Sequence, residues 1–384
     1  MPIVYPYTQY GGVWNLTSQS QAQGAGTWAV PPAFHLYAWG NNSLGQLGLG
    51  NIIYYSSPKQ VGSLTTWSLL SAGQFNTLSI KTDGTLWAWG SNDSGQLGFG
   101  NTTNYSSPKQ VGALTNWSKI ASGENHTLAI KTDGSLWAWG NNAYGQLGFN
   151  NTNNYSSPKQ IGALTNWSSV SGGIYLSGSI KTDGTLWMWG YNIFGQLGLN
   201  NTTYYSSPKQ VGSLTNWSSL SCGRNHVLAI KTDGTLWSWG YSGSGQLGLG
   251  NTTNYSSPKQ VGILTNWANI SSGSNMSSAI KTDSTMWTWG QNGSGQLGLG
   301  NTTPYSSPKQ VGFLTNWLKI SASYVVNAIK TDGTLWAWGN NQYGTLGIGN
   351  TTSYSSPKQV GSLTSWTTIS IGSISNSTLG IAKT

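Results

Sequence analysis

A tryptophan returns about every fifty residues along this chain. Trp39, Trp89, Trp139, Trp189, Trp239 and Trp289 each precede a glycine, and Trp338 continues the series one residue early. Two further series keep the same step. One runs Trp67, Trp117, Trp167, Trp217, Trp267, Trp317 and Trp366. The other runs Trp87, Trp137, Trp187, Trp237, Trp287 and Trp336, with Tyr37 in its first place. A chain of 384 residues would ordinarily divide into two or three domains. Seven copies of one unit override that expectation. A single repeat cannot bury its apolar faces alone, and stacking against its neighbours is what solves the problem.

One copy, Leu86 to Asp133, shows what the unit is. Leu86–Gly90 (LWAWG) reads as a short apolar strand, and Gly95-Gln96-Leu97-Gly98 and Gly100-Asn101 are turn signals. Ser107–Val111 reads as a second strand, with Pro108 suited to a sheet edge. Trp117–Ser122 and Thr127–Thr132 supply a third and a fourth, and Asp133-Gly134 makes a tight hairpin into the next Leu136-Trp137 strand. Four short strands per copy, with no helical periodicity, describe a propeller blade. Blades cover each other on both faces, so their strands can be apolar on both. The predicted fold is therefore all-β: a seven-bladed β-propeller with four antiparallel strands per blade, over residues 34–384. The two ends complement each other. The first copy starts at Leu36 without the preceding Ile-Lys-Thr strand, and the last ends on Ile381-Ala382-Lys383-Thr384 without the following Leu-Trp strand. Pairing Ile381–Thr384 with Leu36–Gly40 would close the ring and leave no open strand edge.

Charge is sparse: 7% of residues, with a net charge of +9, against roughly 25% charged residues in ordinary soluble domains. Fourteen of the 17 basic residues form two repeated sets. Lys59, Lys109, Lys159, Lys209, Lys259, Lys309 and Lys358 follow Ser-Pro; Lys81, Lys131, Lys181, Lys231, Lys281, Lys330 and Lys383 follow Ile or Ala. The expectation is two solvated rings rather than a nucleic-acid site, the second offset by aspartates two positions on. Cys222 is the one cysteine, so no intrachain disulfide forms; its slot holds Ala72, Ser122, Gly172 and Ser272 elsewhere, which reads as a small buried position. No apolar run is long enough to span a membrane, and the first residues do not read as a secretory signal.

Catalytic and metal chemistry find little footing. Of eight acidic residues, six sit in the Asp-Gly-type hairpins; only Asp93 and Glu124 lie outside them. His35, His126 and His226 are far apart, and Cys222 with His226 is at most half a metal site. Gly95-Gln96-Leu97-Gly98 lacks the lysine and helix of a phosphate loop. Sequons such as Asn101-Thr102-Thr103 and Asn116-Trp117-Ser118 read as side-chain turns. No enzyme activity, cofactor or metal is expected. The surface candidates are the repeated tips, where Tyr55, Tyr105, Tyr155, Tyr205, Tyr255, Tyr305 and Tyr354 form a ring beside Asn and Ser, a composition suited to recognising polar ligands or, equally, to covering the blade edge.

The pattern Trp-Gly-Asn-Asn-x-x-Gly-Gln-Leu-Gly, then Ser-Pro, then Gly-x-x-His-Thr-Leu-Ala resembles the regulator-of-chromosome-condensation repeat. The family histidine stands only at His126 and His226; Asn76 and Met276 replace it elsewhere. The resemblance implies a seven-bladed propeller acting through its loops, with members ranging from a chromatin-binding exchange factor to protein inhibitors. Residues 1–33 lie outside the repeat. Gly12-Val13-Trp14-Asn15-Leu16, the glutamines at 19, 21 and 23, and Gly26-Thr27-Trp28 before Pro31-Pro32 resemble a segment of tailed-bacteriophage virion proteins. That resemblance implies an anchoring arm, with Tyr5, Tyr7, Trp14, Leu16 and Trp28 docking on other virion proteins; the alternative is a strap folded back along its own ring. An uncharged Asn/Ser/Thr surface without an export signal also suits a particle that leaves its host by lysis. The expected function is a non-enzymatic virion structural or tail-fibre protein on the particle surface, with host glycan or protein as partner and no membrane insertion. The alternative is a bacterial protein-binding module, an adhesin or inhibitor.

Overall fold

The computed structural model describes residues 32–372 and 375–383. Their 28 strands form seven sheets of four, each antiparallel throughout. In one blade Trp67–Ala72, Asn76–Lys81, Leu86–Gly90 and Tyr105–Gln110 lie side by side in that order, and the others repeat it. The unit read from Leu86 to Asp133 therefore straddles two blades. Leu86–Gly90 and Tyr105–Gln110 finish one sheet, and Trp117–Ser122 and His126–Lys131 begin the next. Strand ends shift by up to two residues from the sequence reading. Tyr105 already pairs with Gly90, so the strand expected from Ser107 starts earlier. The strand expected at Thr127–Thr132 runs His126–Lys131, because the Thr132 amide turns away to the Asn116 carbonyl.

Ring closure follows from the half-blades. Phe34–Gly40 and Ser377–Lys383 pair in seven antiparallel steps, Phe34 against Lys383 and Gly40 against Ser377, to complete the seventh sheet. The contact is longer than the four residues the sequence suggested, and Thr384 lies outside the described residues.

Each inner strand faces the axis, where all seven line a narrow cavity of about 140 Å³. A serine there donates no packing volume but accepts a bond from the next blade. Ser71 Oγ takes the Ser122 amide at 2.8 Å, Ser171 Oγ that of Cys222 at 2.9 Å, and Ser370 Oγ that of Ala72 at 3.0 Å. Ser221, Ser271 and Ser321 do the same. Only Ala121 breaks this circuit. Cys222 fills its small slot, 4% exposed, and burial pushes its thiol up to about 12.

The tryptophans hold blade to blade. Trp139 is fully buried, and its Nε1 donates at 2.9 Å to the Gln96 carbonyl of the preceding blade; Trp39 closes the ring through the Thr345 carbonyl at 2.9 Å. The loop that offers this carbonyl has no room for a side chain: a Cβ on Gly98 would lie 2.8 Å from Trp139 Nε1, at a φ of +82°. Burying one such indole removes roughly 150–250 Å² from water, on the order of 4–6 kcal/mol gross. Trp117 packs edge-on against Trp137 at 6.0 Å and Trp139 at 6.0 Å.

Six of the seven lysines of the second set are buried rather than solvated, and only Lys383 at the ring closure stays exposed. Lys131 is buried with its Nζ 3.7 Å from the Trp137 ring centre and 5.0 Å from that of Trp117, and Lys81, Lys181, Lys231, Lys281 and Lys330 repeat this. Aromatic faces attract the ammonium and the four-carbon stem covers apolar surface. Burial lowers the Lys131 pKa and Asp133 opposes that. The first set stays at the surface: Lys109 bonds Tyr105 Oη at 3.1 Å and lies over its ring.

Candidate binding site

Strand direction sorts the connections onto two faces. The loops after the inner strand and after the third strand open on one face, termed upper. The Asp-Gly hairpins and the blade-to-blade links at Val111–Asn116 open on the other. On the lower face Asp133 Oδ1 accepts from the Ser135 amide and hydroxyl, Gly134 holds a φ of +77°, and Ser135 Oγ accepts from Trp137 Nε1 at 2.9 Å. The aspartates are held below the usual carboxylate range, by the hydroxyl of the residue two ahead first and its amide second.

The upper loops rest on a repeated frame. Asn92 Oδ1 accepts the Leu97 amide at 2.8 Å while its Nδ2 reaches the Asn101 carbonyl at 2.9 Å, and Asn101 Oδ1 caps its own turn through the Thr103 amide at 3.1 Å. On that frame the sequence diverges. One slot reads Gln74, Glu124, Ile174, Arg224 and Ser274 around the ring. The next reads Phe75, Asn125, Tyr175, Asn225, Asn275 and Tyr324. Other slots exchange Ser91 for Tyr191 and Ser94 for Tyr144.

These divergent residues meet at the upper mouth of the axis. A well of about 280 Å³ is lined by Glu124, Tyr144, Ile174, Tyr175, Tyr191, Arg224 and Asn225, with Gln74 from the blade before Glu124 and Tyr324 from across the ring. Tyr144 lies 4.9 Å from both Tyr175 and Tyr191 between ring centres, and Tyr204 extends the cluster 4.9 Å beyond Tyr191. Burial raises the Glu124 pKa, and the Tyr175 hydroxyl and the charge of Arg224 pull it back. Among the described residues Glu124 Oε2 is buried without a hydrogen-bond partner. Tyr175 is pushed up to about 12, by burial first and the Glu124 carboxylate second. Phe194–Tyr241 and Tyr54–Tyr343 add two more aromatic pairs to this face.

The tyrosines expected as recognition tips are placed differently. Tyr55, Tyr105, Tyr155, Tyr205, Tyr255, Tyr305 and Tyr354 are half-buried at the head of the outer strands. Tyr105 packs 5.1 Å from Phe99, and its hydroxyl is engaged by Lys109 and by Asn101 at 3.4 Å. They circle the rim and do not enter the well. Tyr5, Tyr7, Trp14, Leu16 and Trp28 lie outside the described residues. His126 and His226 are fully buried; His126 Nε2 meets Ser177 Oγ at 3.0 Å and His226 Nε2 meets Ser277 Oγ at 2.9 Å. Each serine hydroxyl is already donated to a carbonyl, Gln146 or Gln246, so the imidazole donates from Nε2. Desolvation lowers both to about 3. His35 sits apart at the rim beside Gln60. Asp93 lies near Ser91 Oγ at 3.4 Å on the upper face. Three grooves of about 380–420 Å³ on the outer wall, such as the one bounded by Val311, Leu314, Trp317 and Trp336, recur at equivalent positions of successive blades.

The chain matches the family model described as the regulator of chromosome condensation (RCC1) repeat seven times, over residues 35–80, 83–130, 133–180, 183–230, 233–280, 283–325 and 332–375. A second model of that repeat matches 67–96, 117–146 and 217–246. No curated protein matches it in sequence. Among solved structures it is similar to human WBSCR16, at a TM-score of 0.82 and 21% identity over 91% of this chain and 99% of that one. It is also similar to Prp20p from Saccharomyces cerevisiae, whose structure was described with its binding to Gsp1p and histones, at 0.80 and 19% over 92% of each chain. The same yeast protein bound to Kap60 gives 0.80 and 18% over 91% and 89%. At such identities the likeness is one of fold. With family matches running through all seven copies, the chain belongs to the RCC1 repeat family.

Proposed function

We propose that this propeller is a non-catalytic recognition module whose partner docks on the upper face. We further propose that residues 1–33 anchor it in a bacteriophage particle as a virion structural or tail-fibre-type protein, leaving that face free for host attachment. The observation that carries the first part is where the blades differ. Substitutions between copies gather at the upper mouth, while the lower hairpins repeat nearly unchanged. A repeat scaffold gains specificity by varying the loops of one face. The titratable groups support a binding role: both buried histidines bridge blades and the hairpin aspartates cap turns. The anchoring arm rests on its sequence, two tryptophans and several tyrosines in a stretch too short for its own core.

Blade-to-blade swaps give a direct test, since each replaces a residue by its counterpart in another copy. The variant Tyr54→Asn/Tyr204→Asn/Tyr343→Ser should keep the melting temperature and lose attachment of the purified protein to host cells. Retained attachment rejects docking on this face. Mass spectrometry of purified particles tests the arm: the protein should be present, and absent once residues 1–33 are removed. Particles that lack the full-length protein reject the virion role, and one soluble bacterial protein retained stoichiometrically would then favour the adhesin or inhibitor reading.

A further inference from the structure

We infer that the axial well binds a neutral sugar ring, the terminal unit of a glycan. This rests on the upper face being the recognition surface and names what its centre holds.

The well is an upper-face concavity built largely by residues that the repeat does not supply. Glu124, Tyr144, Tyr175 and Arg224 each depart from the residue at the same slot in both neighbouring blades, and Tyr191 departs from Asn141 of the preceding one. Its volume, about 280 Å³, lies just below the usual range of ligand pockets, about 300–1,000 Å³. That suits one or two rings rather than a peptide chain.

The lining then selects the chemistry. A buried acceptor left unpaired is costly, and Glu124 Oε2 is such an acceptor among the described residues. Something that donates a hydrogen bond should enter. A cation would satisfy it but meets Arg224, whose charge acts on the same carboxylate. An anion would satisfy Arg224 but meets Glu124. A hydroxyl both donates and accepts, so a polyol can use the carboxylate, the guanidinium and the Asn225 and Gln74 amides together without a net charge. The tyrosines complete the match. A sugar has a face of C–H groups, and Tyr144, Tyr175 and Tyr191 offer clustered aromatic surface with hydroxyls at its edge.

The test titrates the full-length protein with methyl glycosides of neutral hexoses and N-acetylhexosamines, with choline, acetate and glycine as cationic, anionic and zwitterionic controls. At least one glycoside should bind, at about millimolar Kd, with little change between low and high salt. Glu124→Gln, Arg224→Ser and Tyr191→Ser copy Gln74, Ser274 and Ser91 and keep the fold; each should weaken binding about tenfold at an unchanged melting temperature. Arg224→Ser separates the alternatives, because it weakens a sugar but strengthens a cation. The proposal is overturned if choline, acetate or glycine binds more tightly than every glycoside. It is equally overturned if no glycoside binds, or if binding ignores all three swaps. Host attachment that survives these swaps but fails in the rim triple variant would reject the sugar site while leaving upper-face docking standing.

Discussion

The two faces of this ring are made by the same repeats and obey different rules. Below, the sequence barely changes from blade to blade: Lys-Thr-Asp-Gly or a near copy, and Val-Gly-x-Leu-Thr-Asn or a near copy. Each lower hairpin has a backbone turn, an aspartate cap and a lysine wedged between two indoles, and these interlock. Above, a rigid frame of Asn and Gln bonds carries positions that accept Ser, Asn, Tyr, Glu or Arg. The lower face spends its sequence on holding blades together, the upper on being different. The lower face has its own irregularity in the link position, where Ile263 and Phe313 stand 89% and 97% exposed in place of Ser or Ala.

The largest test of this contrast removes one lower wedge. Trp117→Ala strips a buried indole from contact with Trp137, Trp139 and Lys131. It should destabilise the protein by about 3–5 kcal/mol in urea denaturation. On the upper face Tyr144→Ser should change stability by less than about 0.5 kcal/mol. Comparable losses from the two would erase the distinction between the faces.

The same contrast explains what the sequence could show. Repetition announces architecture, so the blade number, the strand types, the closing pair and the core indoles were all legible. A spaced tryptophan means one burial problem solved seven times. The well was not legible, because it is assembled from what fails to repeat. Tyr144, Tyr175, Tyr191 and Arg224 stand 16 to 33 residues apart along the chain, in four different slots of the repeat, and only the ring brings them together. Glu124 was visible as an acid outside the hairpins, without a reason for its place. A search for departures from the repeat, slot by slot, would have found the set. The lysines at 81, 131 and their counterparts misled for another reason. Charge suggests solvent, but two indole faces and a long stem make burial acceptable.

The interior beneath the upper face offers a second test. His126 and His226 are held neutral in the fold, their pKa lowered by burial from the ordinary 6.5 to about 3. Below their unfolded pKa the unfolded chain binds protons that the native chain refuses, so stability is complete above about 6.5 and falls as pH drops toward 3. At about pH 5 the penalty should approach 2 kcal/mol for each histidine. The paired variant His126→Asn/His226→Met copies Asn76 and Met276, buried occupants of the same slot. It should flatten the decline between about pH 6.5 and 4.5, a window above the range where the hairpin aspartates titrate. An unchanged acid profile would mean the histidines protonate inside the folded ring.

Ser284 supplies the finest discrimination, because it is a lower-face departure that already exists. In the corresponding hairpins Gly84, Gly134, Gly184, Gly234 and Gly333 hold φ near +76°, a region open to glycine, and Ser284 holds +61° in the same slot. A Cβ added to Gly134 would lie 2.1 Å from the Thr165 carbonyl oxygen, and the Ser284 hairpin keeps the same backbone hydrogen bonds at its smaller φ. A left-handed non-glycine residue costs roughly 1–2 kcal/mol, and the extra freedom of glycine in the unfolded chain returns part of that. Ser284→Gly should therefore stabilise the protein by about 1 kcal/mol, raising the urea midpoint at constant slope. Tyr191→Asn restores the commonest residue of an upper slot and should leave that midpoint where it was. If the lower reversion is neutral and the upper one stabilising, conformity to the repeat would matter where the blades vary and not where they agree, and the division of labour between the faces would be reversed.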